Sequence, residues 1–265
     1  MARNSQVSPA ITAVGFAGLL VVLLPVLALL SRVPWSDLGS QLTSDSALSA
    51  IRVSVITSLL AAGISLLLGV PLAWYLARGP QSITRWLRPI VISPLVMPPT
   101  VAGLALLTLM GRNGLLGRII YENTGWAMPF TMAAVVFAGV FVGLPFLVLV
   151  VEAVFRQQPI ELEEAAQTLG ANPSKVFWRI SLPLAKGGVV SGVVLAWARA
   201  LGEFGATLTF AGSLPGVTRT LPMEVYVAME VEPASAYAIS SMLILIAITV
   251  VFLLRSNLIR AFNGR

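Results

Sequence analysis

Apolar and charged positions segregate along this chain into long blocks. Windows without a charged residue run from Asn4 to Ser31, Val53 to Ala77, Pro89 to Gly111, Asn123 to Val151 and Pro233 to Leu254. Each reaches the roughly 20 residues that a helix needs to cross a bilayer. A sixth window, Gly187 to Thr218, is interrupted only by Arg199 and Glu203 and reads as a span carrying a polar site. The runs are continuous rather than alternating, which predicts helices and not barrel strands. The expected fold is an all-α integral membrane protein with six transmembrane helices. The whole chain, 1–265, is expected to form one membrane domain, because no hydrophilic stretch is long enough to bury a core of its own.

The first window differs from a cleavable leader. Its basic region holds only Arg3, its apolar stretch is long, and no A-x-A pattern follows Leu30, so it is expected to stay as an anchor. Composition agrees with a membrane protein: 57% of the residues are hydrophobic and 11% charged. Cysteine and histidine are both absent. Thiolate and imidazole metal sites, thiol catalysis and Ser-His-Asp triads are therefore closed to it.

The formal charge of +6 follows the bias that orients membrane proteins. With the amino terminus inside, cytoplasmic segments hold Arg3, Arg78, Arg85, Arg88, Arg156, Lys175, Arg179, Lys186, Arg255, Arg260 and Arg265. The outer segments hold Arg32, Arg52, Arg112, Arg118 and Arg219, and the sequence offers no account of Arg112 and Arg118 on that side. Both termini are thus expected in the cytoplasm of a multi-pass protein of the cell's inner membrane. The basic balance reflects topology and a lipid partner, not nucleic acid.

Local chemistry refines this plan. Pro34 to Ser49 reads as a surface connection. Pro89, Pro94, Pro98 and Pro99 should kink or delay the third span, either at a cavity or as a packing bend. Gly139 with Gly143 and Gly188 with Gly192 allow close helix approach, within the chain or across a dimer.

The longest inner segment, Arg156 to Lys186, is patterned as two short helices. Pro159 suits a first helical position, Glu161, Glu163 and Glu164 favour the positive end of the helix dipole, and Gly170 suits the stop. Leu162, Ala165, Ala166 and Leu169 form a narrow, mostly small stripe, with Glu161, Glu164 and Thr168 on the other side. Asn172-Pro173 opens a second helix through Lys175, Phe177 and Ile180, expected to break at Pro183. A surface-lying lipid helix would show bulky apolar and basic faces. An acidic, small-residue face suits a protein groove better.

Glu164-Ala165-Ala166, Gly170 and Ile180-Ser181-Leu182-Pro183 resemble the EAA signature of ATP-binding-cassette importer permeases, EAA-x3-G-x9-I-x-LP. In that family the motif forms the coupling helices that sit in a cleft of a cytoplasmic ATPase. The resemblance implies an ATPase-coupling role for Glu164, Ala165, Ala166, Leu169, Gly170, Ile180, Leu182 and Pro183. No G-x-x-x-x-G-K-[ST] phosphate loop occurs here, so ATP and Mg are expected on a partner subunit, with no cofactor on this chain and no enzymatic activity of its own.

Arg199 and Glu203 lie four apart on one face of the fifth span, where an unpaired charge costs at least a few kcal/mol. They form a structural ion pair or face a wet pathway. Beyond them Thr207, Thr209 and the glycines either line a gate or pack a tight bend. The stretch Ala200-Leu201-Gly202-Glu203-Phe204-Gly205-Ala206-Thr207 through Thr220-Leu221-Pro222 resembles molybdate permeases, with sulfate and thiosulfate permeases as close relatives. That resemblance implies a second copy of the chain, two cytoplasmic ATPases and an extracytoplasmic oxyanion-binding protein delivering molybdate or tungstate. A sulfate permease would instead pair two different chains. An ATP-independent channel or an integral membrane enzyme is the alternative of another class, and neither explains the inner signature.

Overall fold

The computed structural model describes residues 8–263, with side chains described through 252. Arg3, Arg265 and the side chains of Arg255 and Arg260, counted above, lie outside the described residues. Helix α1 (Pro9–Leu30) leads through the short α2 (Leu38–Leu42) to the long α3 (Asp45–Arg78). Helix α4 (Gln81–Ile92) runs through a 3₁₀ turn (Ser93–Leu95) and bends by 113° into α5 (Pro99–Met110). A loop with α6 (Gly117–Thr124) precedes α7 (Met132–Gln157). Then α8 (Ile160–Thr168), α9 (Pro173–Val176), a π turn (Phe177–Ser181) and α10 (Leu182–Leu184) form a projection that bends by 78° into α11 (Lys186–Leu201). Short α12 (Gly205–Ala211) and α13 (Leu221–Val231) lead to α14 (Pro233–Asn263). Among the described residues α1, α3, α7 and Pro233–Phe252 can each cross a bilayer alone, and the two bent pairs bring the total to six spans.

Sequence punctuation accounts for most boundaries. The Ser44 hydroxyl accepts from Ala47 N–H and Thr131 from Ala134 N–H, capping α3 and α7. Arg78 and Arg156 close the same helices, where cations oppose the dipole's negative end. In the third span the prolines act as expected. Pro94 and Pro98 lack donors, so the helix tightens at Ser93–Leu95, stops, and restarts with Pro99 in its first turn.

The core is built on small residues, because lipid tails give helices no hydrophobic reason to associate and close contact must hold them. A Cβ on Gly143 would stand 2.9 Å from the Ala196 carbonyl oxygen, and one on Gly139 2.9 Å from the Ala61 methyl. Gly192 approaches the Leu147 carbonyl. The four-spaced glycines therefore pack α7 and α11 within one chain. Val70, Ala73, Leu147, Val151 and Phe155 fill the seam between α3 and α7 near the projection, while Leu106, Ala138 and Phe210 fill one at the opposite end.

Two expected boundaries move. The fifth span does not run from Gly187 to Thr218: it stops at Leu201, and Gly205–Ala211 is a separate helix laid on α5. Side-chain-free Gly103 and Gly205 allow that contact, Gly103 against Ala206 and Thr209 and Gly205 against Pro99. The second projecting helix continues past Pro183 and turns at Ala185. Pro183 sits in the first turn of α10, where a missing N–H costs nothing, and Ala185 N–H bonds to Ser181 and Leu182. The connection Pro34 to Ser49 includes α2 and the start of α3. Arg112 and Arg118 both have partners: Arg112 stacks on the Tyr121 ring at 4.1 Å and bonds its hydroxyl, and Arg118 pairs with Glu122 at 3.4 Å.

Candidate coupling surface and polar break

The projection is pinned on one side and bare on the other. At the end of α8, Gly170 takes φ +86°, its N–H bonds to Gln167 O at 2.9 Å, and Ala171 N–H reaches Ala166 O at 3.0 Å. These two bonds are a Schellman stop. Asn172 Oδ1 then accepts from Lys175 N–H at 2.8 Å and starts α9, with Pro173 at its first position. Two turns of chain thus reverse direction with their backbone groups satisfied.

The inner side carries a buried charge pair that local patterning did not single out. Glu163 is 5% exposed and receives Arg78 Nε on both oxygens at 3.1 Å. Ser181 Oγ donates to the same carboxylate at 2.9 Å, and Gln158 Nε2 donates to the Ser181 carbonyl at 3.0 Å. Arg78 also reaches the Gln158 carbonyl. One carboxylate therefore ties the end of α3, the end of α7, α8 and the π turn together. Phe177 adds an apolar clamp, its ring 5.2 Å from Trp74 and 6.4 Å from Phe155.

Of the residues singled out for coupling, Glu164, Ala165, Leu169 and Gly170 are exposed and Ala166 is half-buried. Leu169, at 88% exposure, has no apolar cover. Pro183 is exposed, whereas Ile180 and Leu182 are half-buried, with Leu182 packed against the seam. The signature thus divides into a mostly exposed group on α8 and a group on the π turn and α10 of which only Pro183 is exposed.

The second feature is the break between α11 and α12. Glu203 is 3% exposed; one oxygen pairs with Arg199 and the other accepts Ala206 N–H at 2.9 Å. The carboxylate thereby holds the ending turn of α11 and the opening turn of α12. Each charge also lies at the favourable dipole end, Arg199 in the last turn of α11 and Glu203 just before α12. The Arg199 side chain keeps 34% of its surface open, so the pair is not sealed. Thr207 is buried, and Thr209 donates to Gly205 O while its Cβ packs at Gly103. Thr209 supports the α5–α12 contact, and Arg199 alone of the four offers free donor surface.

The loop beyond α12 is ordered by its own side chains. Gly212 and Gly216 take positive φ, Thr218 Oγ1 accepts Leu214 N–H, and Arg219 spans Ser213 and Glu224. Ser54 on α3 accepts Leu221 N–H at 2.7 Å and fixes the start of α13.

Apolar helices around a small-residue core, with an anchored two-helix projection at one end, define a polytopic membrane protein. A family model described as "Binding-protein-dependent transport system inner membrane component" matches residues 65–263, and the chain belongs to that family. It is 48% identical over 235 residues, 89% of each chain, to the molybdenum transport system permease protein ModB of Mycobacterium tuberculosis. It is 33% identical to a probable sulfate transport system permease protein, cysT, of Chlorokybus atmophyticus, over 92% of this chain and 85% of that one. Its fold matches a crystal structure of a bacterial transporter that imports the polysaccharide alginate, with a TM-score of 0.70 and 17% identity over 94% and 93% of the two chains.

Proposed function

We propose that this chain is the membrane-spanning subunit of an ATP-driven importer for an oxyanion, molybdate or its tungstate analogue. The observation that carries the reading is the 48% identity over 89% of both chains to a molybdenum permease, against 33% for a sulfate one. In this reading the end bearing α8–α10 faces the cytoplasm, in keeping with Arg78, Arg85, Arg88, Arg156, Lys175, Arg179 and Lys186 at that end. The exposed face of α8 seats in a cytoplasmic ATPase, which binds and hydrolyses ATP with Mg while this chain does no chemistry. Two such ATPases serve two copies of the chain. Helix α1 supports the pairing: it is strongly apolar, and none of its residues is buried within one copy. An extracytoplasmic binding protein delivers the anion to the α12–α13 end.

In the pathway, Arg199 is the group we assign to the passing anion. Glu203 orients it and cancels its charge at rest, so an anion must compete with a carboxylate and is released rather than trapped. Glu203→Gln keeps an acceptor for Ala206 N–H but leaves Arg199 unpaired, at a cost of about 2.5–3.5 kcal/mol inside a span. We expect a lowered thermal midpoint for the purified permease and impaired uptake. The double variant Arg199→Gln/Glu203→Gln regains stability without regaining uptake; recovery of both would reduce the pair to a packing device.

The direct test is molybdenum accumulation in cells with and without the gene, at scarce molybdate, with excess sulfate as competitor. Loss of accumulation that sulfate does not suppress in the wild type is the expected result. Normal molybdenum with reduced sulfate uptake would transfer the assignment to sulfate. Uptake that persists after ATP depletion would place the chain among channels.

A further inference from the structure

A polar cavity of about 380 Å³ lies where α3 ends, α4 begins and α7 ends, bordered by Gln81, Thr84, Arg85, Arg88 and Arg156. Three guanidinium groups meet here against one carboxylate, the buried Glu152. Glu152 holds Arg88 at 2.7 Å and Arg156 at 2.8 Å, and both arginines also donate to the Leu76 carbonyl. That carbonyl belongs to the last turn of α3, so it and Glu152 Oε1 are already engaged by the two arginines. Among the described residues, the Nη1 groups of Arg88 and Arg156 and the whole Arg85 guanidinium donate to no acceptor. Two positive charges in excess therefore face an open cavity, preset by a buried anchor. ATPase docking on α8 leaves them without a role.

A second hollow continues along the same helix. It measures about 250 Å³, is almost wholly apolar, and lies between Ile90, Val91 and Pro94 on one side and Phe137, Phe141 and Leu144 of α7 on the other. At 1.5 Å per residue, Ile90 and Val91 lie about 3–4.5 Å beyond Arg88 along α4, and Pro94 follows in the 3₁₀ turn. The two hollows share no lining residue: along α7 their nearest lining residues, Arg156 and Pro145, stand about 16 Å apart, close to the half-thickness of bilayer hydrocarbon that one acyl chain spans. Beside the cavity, Trp86 is 67% exposed with the Arg85 guanidinium over its ring at 5.3 Å, the placement expected at a membrane interface.

We propose that this pair of hollows is a site for an anionic phospholipid of the cytoplasmic leaflet, the phosphate in the arginine cavity and an acyl chain in the α4–α7 groove. A tetrahedral phosphate would take the free Nη1 donors of Arg88 and Arg156 and the charge of Arg85. A free phosphate shares that chemistry but leaves the apolar groove empty, which is why the lipid is the occupant. The proposal rests on the orientation given above, but its readout does not depend on the transported anion.

The test uses the full-length permease purified in mild detergent and exchanged into bilayers of phosphatidylcholine with a minor fraction of phosphatidylglycerol. Phosphatidylglycerol retained per chain is then counted by native mass spectrometry. Among the described residues Arg85 makes no hydrogen bond or ion pair and meets only the adjacent, exposed Trp86 ring, so Arg85→Gln is expected to leave the fold intact. We expect it to lower retention about fivefold, the effect of removing one basic residue from an anionic-lipid site, and Arg85→Lys to retain most of it. Val91→Asn, in the groove, should also weaken retention. Equal retention in the wild type and Arg85→Gln would overturn the site. Displacement of the lipid by millimolar inorganic phosphate, with Val91→Asn silent, would make it a soluble-anion site and overturn the lipid.

Discussion

Gly170→Val will leave the permease inserted and folded but reduce its association with the ATPase and its ATP-driven uptake by about 5- to 150-fold. The range is the 1–3 kcal/mol cost of holding a residue other than glycine in the left-handed region, expressed as a ratio. Gly170 sits at φ +86°, and a β-branched side chain resists that conformation most. Space is not the obstacle, since a Cβ there meets nothing within 4 Å. The strain would instead break the two bonds that stop α8 and turn its exposed face away from a partner. Asparagine visits the left-handed region readily, so Gly170→Asn should keep most of the activity. Co-purification with the ATPase measures the first effect and reconstituted uptake the second. Normal association of the valine variant would remove α8 as the coupling surface.

That result would also test how far the sequence reaches. Gly170 and Asn172-Pro173 were legible because their chemistry is local: a glycine beyond an amphipathic run and a capping residue before a proline act within a few positions. The proline cluster from Pro89 to Pro99 announced a bend for the same reason. What it could not announce was the angle, which depends on α5 lying against α12 through Gly103 and Gly205. The end of the fifth span at Leu201 was hidden for a related reason. Gly202-Glu203-Phe204 holds no proline, and the helix restarts there because Glu203 captures Ala206 N–H while α12 finds a seat on α5. Arg199 and Glu203 were visible as a four-spaced pair, but the second use of Glu203 as a cap was not. Thr207 and Thr209 could be read as gate or as packing, and it took the fold to place Thr209 against Gly103 of α5 and to bury Thr207. Glu163 was legible only as one of three carboxylates at the dipole's positive end: its partner Arg78 is 85 residues away, and only the folded chain brings them together.

Glu163→Ala will destabilise the protein more than any other single change in the projection. Removing the carboxylate leaves the guanidinium of Arg78, only 14% exposed, with the Gln158 carbonyl alone. Breaking a buried pair from one side costs about 3–5 kcal/mol, because the remaining charge loses its compensation. Ser181 loses its nearer acceptor in the same step and keeps only the Val176 carbonyl at 3.5 Å, so α8 and the π turn come apart where Glu163 joined them. A fall in the thermal midpoint of the purified permease, with faster proteolysis between α7 and α11, is the expected reading. Replacing both partners, as Arg78→Met/Glu163→Leu, should restore much of the stability, since apolar side chains of similar size can substitute for a buried pair. Uptake should stay low in that double variant. A methionine–leucine contact has no preferred direction, whereas the guanidinium grips both carboxylate oxygens and fixes the angle at which α8 leaves the bundle. Full recovery of stability and uptake together would show that any adhesive contact suffices there. Recovery of stability alone would establish that the pair transmits orientation from the end of α3 to the exposed face of α8.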